Sequence, residues 1–286
     1  MDSASAASEL GATEGVPLAS FLRAHDRIFV LTGAGCSTAS GIGDYRDESG
    51  AWKRAHPITL KEFTGNERTR RRYWARSLVG FRHITRALPN ESHYAISELE
   101  RSGKVSLVVT QNVDGLHQKA GSRNVLDLHG VMDEIECLGC RRTSPRAEYQ
   151  RKLELENPSF SQLTAAAAPD GDADLENVDY GSFRVPECSD CGGLLKPKVV
   201  FFGENVPAER VERAYAALAR SDAALVIGSS LMVFSGYRFA HRAKKLGLSL
   251  AIVNRGRTRA DSLACLKVGG DIGTTLRAAL TLSPAA

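Results

Sequence analysis

Short apolar runs rich in β-branched residues punctuate the chain, and each ends in glycine or a polar turn. Arg27-Ile-Phe-Val-Leu-Thr32 leads into Gly33-Ala-Gly35, and Val105-Ser-Leu-Val-Val-Thr110 leads into Gln111-Asn-Val-Asp114. Val199–Phe202, Ala223–Gly228 and Ser249–Asn254 repeat the pattern. Runs this short, apolar at nearly every position, predict strands buried on both faces. Helical spacing fills the gaps. Pro17–His25 reads as a first helix, and Pro207–Ala219 sets alanine and leucine on one face behind a first-turn proline. Gly236–Leu246 is stopped by Gly247, and Gly273–Leu282 is the last helix.

Strands alternating with helices predict an α/β protein, a Rossmann-like parallel sheet with helices on both faces. Such sheets bind ligands at the carboxyl ends of their strands. Thr32, Thr110, Gly228 and Asn254 each end a predicted strand, so four strand ends point at one crevice. Two stretches interrupt the alternation. Residues 52–88, rich in arginine and aromatics, predict a helical insertion. Residues 134–196 hold four paired cysteines and few apolar runs, and Ala165–Asp174 within them is a loop by composition. The expected plan is a flexible tail over 1–16, a Rossmann-like domain from 17–133 and 197–286, and a zinc-binding module over 134–196. There is no internal repeat.

The 286 residues, 43% hydrophobic and 24% charged, suit a soluble globular protein with one large domain and an inserted module. The net charge of +4 is too mild to argue for nucleic acid, and suits an anionic ligand or an acidic partner surface equally. No stretch approaches the roughly 18 apolar residues of a membrane helix. Met1–Gly15 lacks the basic start and apolar run of a secretory signal, and its Asp2, Glu9 and Glu14 without arginine make a poor transit peptide. A cytoplasmic protein is expected.

Six cysteines in such a chain point to metal or reactive groups rather than disulfides. Cys137-Leu-Gly-Cys140 and Cys188-Ser-Asp-Cys191 are two knuckles whose spacing lets paired thiolates meet one ion and close a tetrahedron of zinc ligands. A redox Cys-x-x-Cys pair is the alternative. Four protein ligands leave no open position, so the zinc is expected to be structural. The stretch between the knuckles, residues 141–187, exceeds a zinc finger.

The turn after the first strand offers glycines for close backbone approach and Ser37 and Thr38 as donors to phosphate. Two glycines after a strand serve packing just as often, and the third glycine of the dinucleotide fingerprint is missing. Arg46 can clamp a pyrophosphate. Gln111, Asn112 and Asp114 face the crevice mouth, where they can read a carboxamide, position a water or simply cap a turn. His129 is a candidate general base beside that crevice. Gly228-Ser-Ser230 and Asn254-Arg-Gly256 are polar turns suited to ribose and adenine.

These motifs together resemble the sirtuins, NAD-dependent protein deacylases. The matching elements are Gly33-Ala-Gly-Cys-Ser37 with Ser40-Gly-Ile-Gly-Asp-Tyr-Arg46, Thr110-Gln-Asn-Val-Asp114, Leu128-His-Gly130, both knuckles, Lys196-Pro-Lys-Val-Val-Phe-Phe-Gly-Glu204, Gly228-Ser-Ser230 and Asn254. Arg72-Tyr-Trp-Ala-Arg76, Ala168-Pro-Asp-Gly-Asp172 and Ser235-Gly-Tyr-Arg-Phe239 resemble the class II, sirtuin-4-like branch.

The resemblance implies that NAD is consumed and that one zinc is structural. It implies a cofactor site of Gly33, Ala34, Gly35, Cys36, Ser37, Thr38, Ser40, Gly41, Asp44, Tyr45, Arg46, Gln111, Asn112, Val113 and Asp114. Gly228, Ser229, Ser230, Asn254, Arg255, Gly256 and Ile272 complete it. Nicotinamide is expected near Asp44, Asn112 and Asp114, with Asn112, Asp114 and His129 as the catalytic residues. The acyl oxygen of the substrate attacks the ribose as nicotinamide leaves, and His129 then serves as base toward a ribose hydroxyl. Acyl-lysine peptides are expected to pair with Phe202–Val206 and the loop near Val233–Gly236. Neither membrane nor specific nucleic acid is an expected partner, and a monomer is expected. The family usually has isoleucine at position 36 and proline at 43. Gly43 is expected to loosen the cofactor loop, and Cys36 is either an oxidisable thiol near the cofactor or a small filler.

A protein ADP-ribosyltransferase on the same scaffold shares the cleavage of NAD but differs in acceptor, and a lipoamidase-type deacylase on that scaffold is a further alternative. A Rossmann dehydrogenase and a zinc-ribbon nucleic-acid-binding protein are more distant alternatives. The last has only Arg68–Arg76 as a basic stripe.

Overall fold

The computed structural model describes residues 15–54, 56–166, 168–175 and 178–283. β1 (Ile28–Thr32) is buried at every position because strands flank it on both sides and helices cover both faces. It pairs in parallel with β2 (Val105–Thr110) and β7 (Ala223–Ile227). β3 (Val125–Asp127) continues the sheet beyond β2, while β8 (Ser249–Val253) and β9 (Leu266–Val268) continue it beyond β7. The order β3-β2-β1-β7-β8-β9 runs outward from β1 in one direction and then in the other. The reversal between β1 and β7 is a topological switch point, where a parallel sheet opens a crevice.

Successive β1 residues serve opposite cores, which is why the run shows no polar alternation. Ile28 and Val30 pack with α1 (residues 15–23), α4 (Glu91–Arg101) and α10 (Ile272–Thr281), through Leu18, Leu22, Ile96, Leu99 and Leu276. Phe29 and Leu31 pack with α8 (Ala208–Ala219) and α9 (Phe234–Lys245), through Ala217, Leu218, Phe239 and Ala243. Burying each such large apolar side chain contributes about 1.5–3 kcal/mol. Of the expected tail, residues 1–14 lie outside the described residues, and 15 and 16 already belong to α1.

The strand expected at Val199–Phe202 is not part of this sheet. β6 (Leu195–Val199) pairs antiparallel with β4 (Gly130–Cys137), which also pairs with β5 (Thr143–Pro145). Beyond β6 the backbone meets single partners instead of a ladder. Val200 N–H donates to His129 O at 2.7 Å, and Phe202 O accepts from Leu60 N at 2.9 Å. β3 and β9 have three residues each, too few for a pattern to reveal them.

Helices α2 (Leu60–Gly65) and α3 (Glu67–Arg86) fill the arginine-rich stretch, and Asn66 caps α3 by accepting from Thr69 N at 3.0 Å. The apolar side of α3 (Trp74, Leu78, Ile84) packs against α6 (Arg146–Glu156), Met132 and Ile135 of β4, and Phe201. Two one-turn helices, α5 (Leu116–Lys119) and α7 (Pro158–Ser161), complete the set. Among the described residues no helix is long and apolar enough to cross a membrane.

Candidate active site and metal centre

A cleft of about 1020 Å³ opens at the carboxyl ends of β1, β2, β7 and β8. Its floor is pinned by the protein's own backbone. Gly35 N–H donates to Gly228 O at 2.8 Å. A Cβ on Gly35 would lie 2.9 Å from Gly228 Cα, and one on Gly33 would lie 2.8 Å from Ser229 Cβ. These glycines let the loops after β1 and β7 touch. Across the floor, Gln111 Nε2 donates to Thr32 O at 3.1 Å and to Ser229 Oγ at 2.7 Å.

Behind this floor lies a buried polar cluster. Asn112 Nδ2 donates to Gly33 O at 3.1 Å and to Ser37 Oγ at 3.0 Å, and Ser37 Oγ donates to Asp114 Oδ2 at 2.6 Å. His93 Nδ1 accepts from Asn90 N at 3.2 Å, so its proton sits on Nε2, 3.4 Å from Ser37 Oγ. His117 Nε2 meets Thr32 Oγ1 at 2.8 Å, with its ring centroid 4.9 Å from that of His93. Burial pushes His93 down to about 4, although the Asp114 charge opposes it. Burial and the neighbouring His93 push His117 down to about 3. The serine hydroxyl thus fixes the amide and the carboxylate against each other, beside two imidazoles that burial keeps neutral.

His129, half-buried, sits between β3 and β4 on the cleft wall. Its Nδ1 lies 2.9 Å from Gln111 O, and a carbonyl only accepts, so Nδ1 carries the proton. The Nε2 lone pair is left to accept from Ser235 Oγ at 2.9 Å. Burial pushes the ring down to about 4; the Gln111 carbonyl opposes, and the Arg210 and Arg238 charges assist. The result is an imidazole that is neutral at pH 7 and able to take a proton from a hydroxyl.

Away from the cleft, the sulfurs of Cys137, Cys140, Cys188 and Cys191 lie within 4.8 Å of one another. Cys137 and Cys191 are 3.5 Å apart, and Cys140 and Cys188 are 3.8 Å apart. Zinc–sulfur bonds of about 2.3 Å in a tetrahedron require edges of about 3.8 Å, so the four fit one zinc ion with no open position. Glycine shapes the knuckles, since a Cβ on Gly193 would lie 2.9 Å from Cys137 Sγ.

The Sir2 family model matches residues 33–235. An NAD-dependent protein deacetylase of Bordetella bronchiseptica is 59% identical over 251 residues, 88% of this chain and 92% of that one. The chain belongs to the Sir2 family. An NAD-dependent protein deacetylase 1 of Streptomyces coelicolor is 49% identical over 266 residues, 93% of this chain and 89% of that one. A solved Sir2 bound to acetylated peptide superposes with a TM-score of 0.74 at 28% identity, covering 95% of this chain and 99% of that one.

Within this Sir2 fold, most residues singled out by sequence line the cleft. From the β1 turn come Gly33, Ala34, Gly35, Thr38, Gly41, Asp44, Tyr45 and Arg46, and from the β2 turn Gln111, Asn112 and Val113. Gly228, Ser229, Ser230, Asn254, Arg255, Gly256 and Ile272 line its other end. Arg46 is partly engaged already, donating to Gly50 O at 2.7 Å with its guanidinium 3.8 Å from the Trp52 ring centroid. Asp44 pairs with Lys53 at 2.5 Å. Cys36, Ser37, Ser40 and Asp114 are not among the lining residues. Cys36 is 1% exposed, its Sγ donates to Ile227 O at 3.4 Å, and burial pushes the thiol up to about 12. It is a core filler.

Sequence reasoning missed Asn90 and Arg238, which also line the cleft. Asn90 had a signal: it caps α4, and it holds the turn after β1, donating to Cys36 O at 2.8 Å and Ser40 Oγ at 2.9 Å. Arg238 stood only as part of the Ser235–Phe239 resemblance, with no role assigned, being one of several cations within an amphipathic helix.

Proposed function

We propose that this Sir2-family chain removes acyl groups from lysine side chains of proteins, consuming NAD and releasing nicotinamide. NAD supplies the leaving group and the sugar that receives the acyl. The single observation that carries the reading is His129. It presents a neutral imidazole, its tautomer fixed by the Gln111 carbonyl, to a cleft floored by the strand ends of a parallel sheet. His129 is the base toward a sugar hydroxyl. Asn112, held by Ser37 and Gly33, orients the nicotinamide carboxamide, and Asp114 acts from behind through Ser37. Ser229, Ser230, Asn254, Arg255, Gly256 and Ile272 take the adenosine end. Phe202–Val206 and Val233–Ser235 form part of the cleft wall and suit an extended peptide carrying the acyl-lysine.

The finer branch reading also belongs here. All three class II-like segments make contacts: Arg76 of the first binds Asp172 of the second, and Ser235 of the third binds His129 on the cleft wall. The sirtuin-4-like assignment rests on the sequence resemblance of these segments. Residues 134–196 act as the zinc-folded module, in a monomeric cytoplasmic enzyme.

The test is to incubate the zinc-loaded protein with NAD and a panel of acyl-lysine peptides and to read products by mass. O-acyl-ADP-ribose and nicotinamide in equal amounts are expected. ADP-ribose attached to protein would identify a transferase instead, and absorbance rising at about 340 nm would mean hydride transfer. His129→Ala should abolish turnover while zinc content and folding persist.

A further inference from the structure

The hydrogen bond to Nε2 of His129 comes from the N-terminal turn of α9, an element outside the His129 motif. Ser235 is the second residue of α9, and Gly236 follows it. Any Cβ at position 236 would collide with the Gln111 side-chain amide. The bare glycine therefore lets the start of α9 rest directly on Gln111, the residue whose carbonyl receives Nδ1–H. Both ring nitrogens are held, with bonds of 2.9 Å on each side, by Gln111 and by a serine whose chain neighbour Gly236 packs on Gln111.

Proton accounting leaves one arrangement. Nδ1 donates, so Nε2 accepts, so the serine hydroxyl donates. The lone pair that a base needs is thus already in use.

We propose that Ser235 is a positioning residue that caps the base: in the unliganded enzyme its hydroxyl holds and occupies Nε2 of His129, and it gives way when a sugar hydroxyl of the co-substrate takes its place. The proposal rests on the reading of His129 as the base. A hydroxyl donating to Nε2 stabilises the neutral ring, because an imidazolium has no lone pair to accept with. The charges acting on the ring are Arg210 from α8 and Arg238 from α9, and both disfavour the cation. Arg238 lies one turn beyond Ser235, and its buried Nε has no partner among the described residues. The cap and the two arginines therefore act in the same direction, and the base stays unprotonated until substrate arrives.

The experiment titrates His129 by NMR in the unliganded, zinc-loaded full chain, with His129→Asn identifying the signal. Ser235→Ala should raise the His129 pKa by about half to one unit, the equivalent of one lost hydrogen bond. Ser235→Thr, which keeps the hydroxyl, should titrate like the parent, and Ser235→Val, of the same shape without it, like the alanine variant. This pair decides the matter if Ser235→Ala fails to fold. In kinetics the acid limb of kcat/KM for NAD should move up with the pKa, since it reports the free enzyme. The acid limb of kcat should stay in place, since the cap is then displaced. An unchanged titration in Ser235→Ala and Ser235→Val, or lost turnover with neither limb moved, overturns the proposal. Undiminished turnover in His129→Ala would instead remove the base reading, and with it the purpose of a cap, whatever the titration shows.

Discussion

Arg76 holds Asp172 with two bonds of 2.8 Å, from Nε to one carboxylate oxygen and from Nη2 to the other. The fork ties α3 to a loop of the zinc-bearing segment, and Nη2 also reaches Asp174 at 3.3 Å. Pro169 of the same loop stands 3.8 Å from where a Cβ on Gly43 would be. The fork thus ties α3 to a loop that passes beside the turn holding Gly43. Arg76→Ala should cost about 1–3 kcal/mol of stability, toward the lower end because Asp172 is partly solvated. It should also raise KM for NAD more than it lowers kcat. Arg76→Lys should recover little, since an ammonium cannot form the fork. A denaturant midpoint and a KM that match the parent in both variants would separate the loop from the site.

Gly80 lies one turn along α3, and a Cβ there would collide with the backbone of Gly171 and Asp172. In a helix free of such contact, alanine is better than glycine by up to about 1 kcal/mol. Here Gly80→Ala should instead destabilise, by about 1–3 kcal/mol, because the loop has to lift off. The sign of the midpoint shift is the readout.

Ser37 is the hub behind the floor, taking a bond from Asn112 and giving one to Asp114. Ser37→Ala should depress kcat at least tenfold while costing about 1–3 kcal/mol of stability. The Ser37→Ala/Asn112→Ala double variant should lose less than the sum of the two single losses, because both remove the same bond. Strict additivity in a double-mutant cycle would deny the coupling.

Three histidines make the fold acid-sensitive. His93, His117 and His129 are held to about 4, 3 and 4, all below the ordinary 6.5. The unfolded chain takes up these protons first as pH falls. The stability they share is therefore complete above pH 6.5 and drains away between 6.5 and about 4 for His93 and His129, and on to about 3 for His117. At pH 5 the loss should be of order 2 kcal/mol per ring. Denaturant midpoints measured from pH 7.5 to 5 should fall accordingly, and His117→Phe should flatten the slope by about one proton. An identical slope in that variant would show that His117 is not held neutral.

Removing a zinc ligand should have no graded effect. Cys188→Ser, or a strong chelator, should unfold or aggregate the protein, since a three-thiolate site opens the small sheet to water. A folded, active, metal-free variant would overturn the structural role.

The strands at Ile28–Thr32, Val105–Thr110, Ala223–Ile227 and Ser249–Val253 were legible because burial on both faces writes an apolar run. So were the turns that follow them, which line the cleft, and the four cysteines, whose spacing is the coordination geometry itself. Val199–Phe202 misled because an apolar run does not say which sheet it joins; β4 competed for it through the ladder that ends at Gly130 and Val199. The glycines of the first turn are needed against Gly228 and Ser229, a contact from nearly two hundred residues away that no local pattern carries. Ser235 and Arg238 stood in a quoted motif, but what they act on was hidden for the same reason, since their partners are brought to them only by the fold.

β4 begins at the residue after His129, and Val200, just past β6, donates back to the His129 carbonyl at 2.7 Å. The backbone of His129 is thus the hinge pin of the β4–β6 arm that leads to the four cysteines. Partial loss of metal will therefore not produce a slower enzyme but two populations, one at full speed and one silent. Turnover in any preparation becomes a head count: it scales with bound zinc, while KM and the pH profile of the molecules still at work stay unchanged.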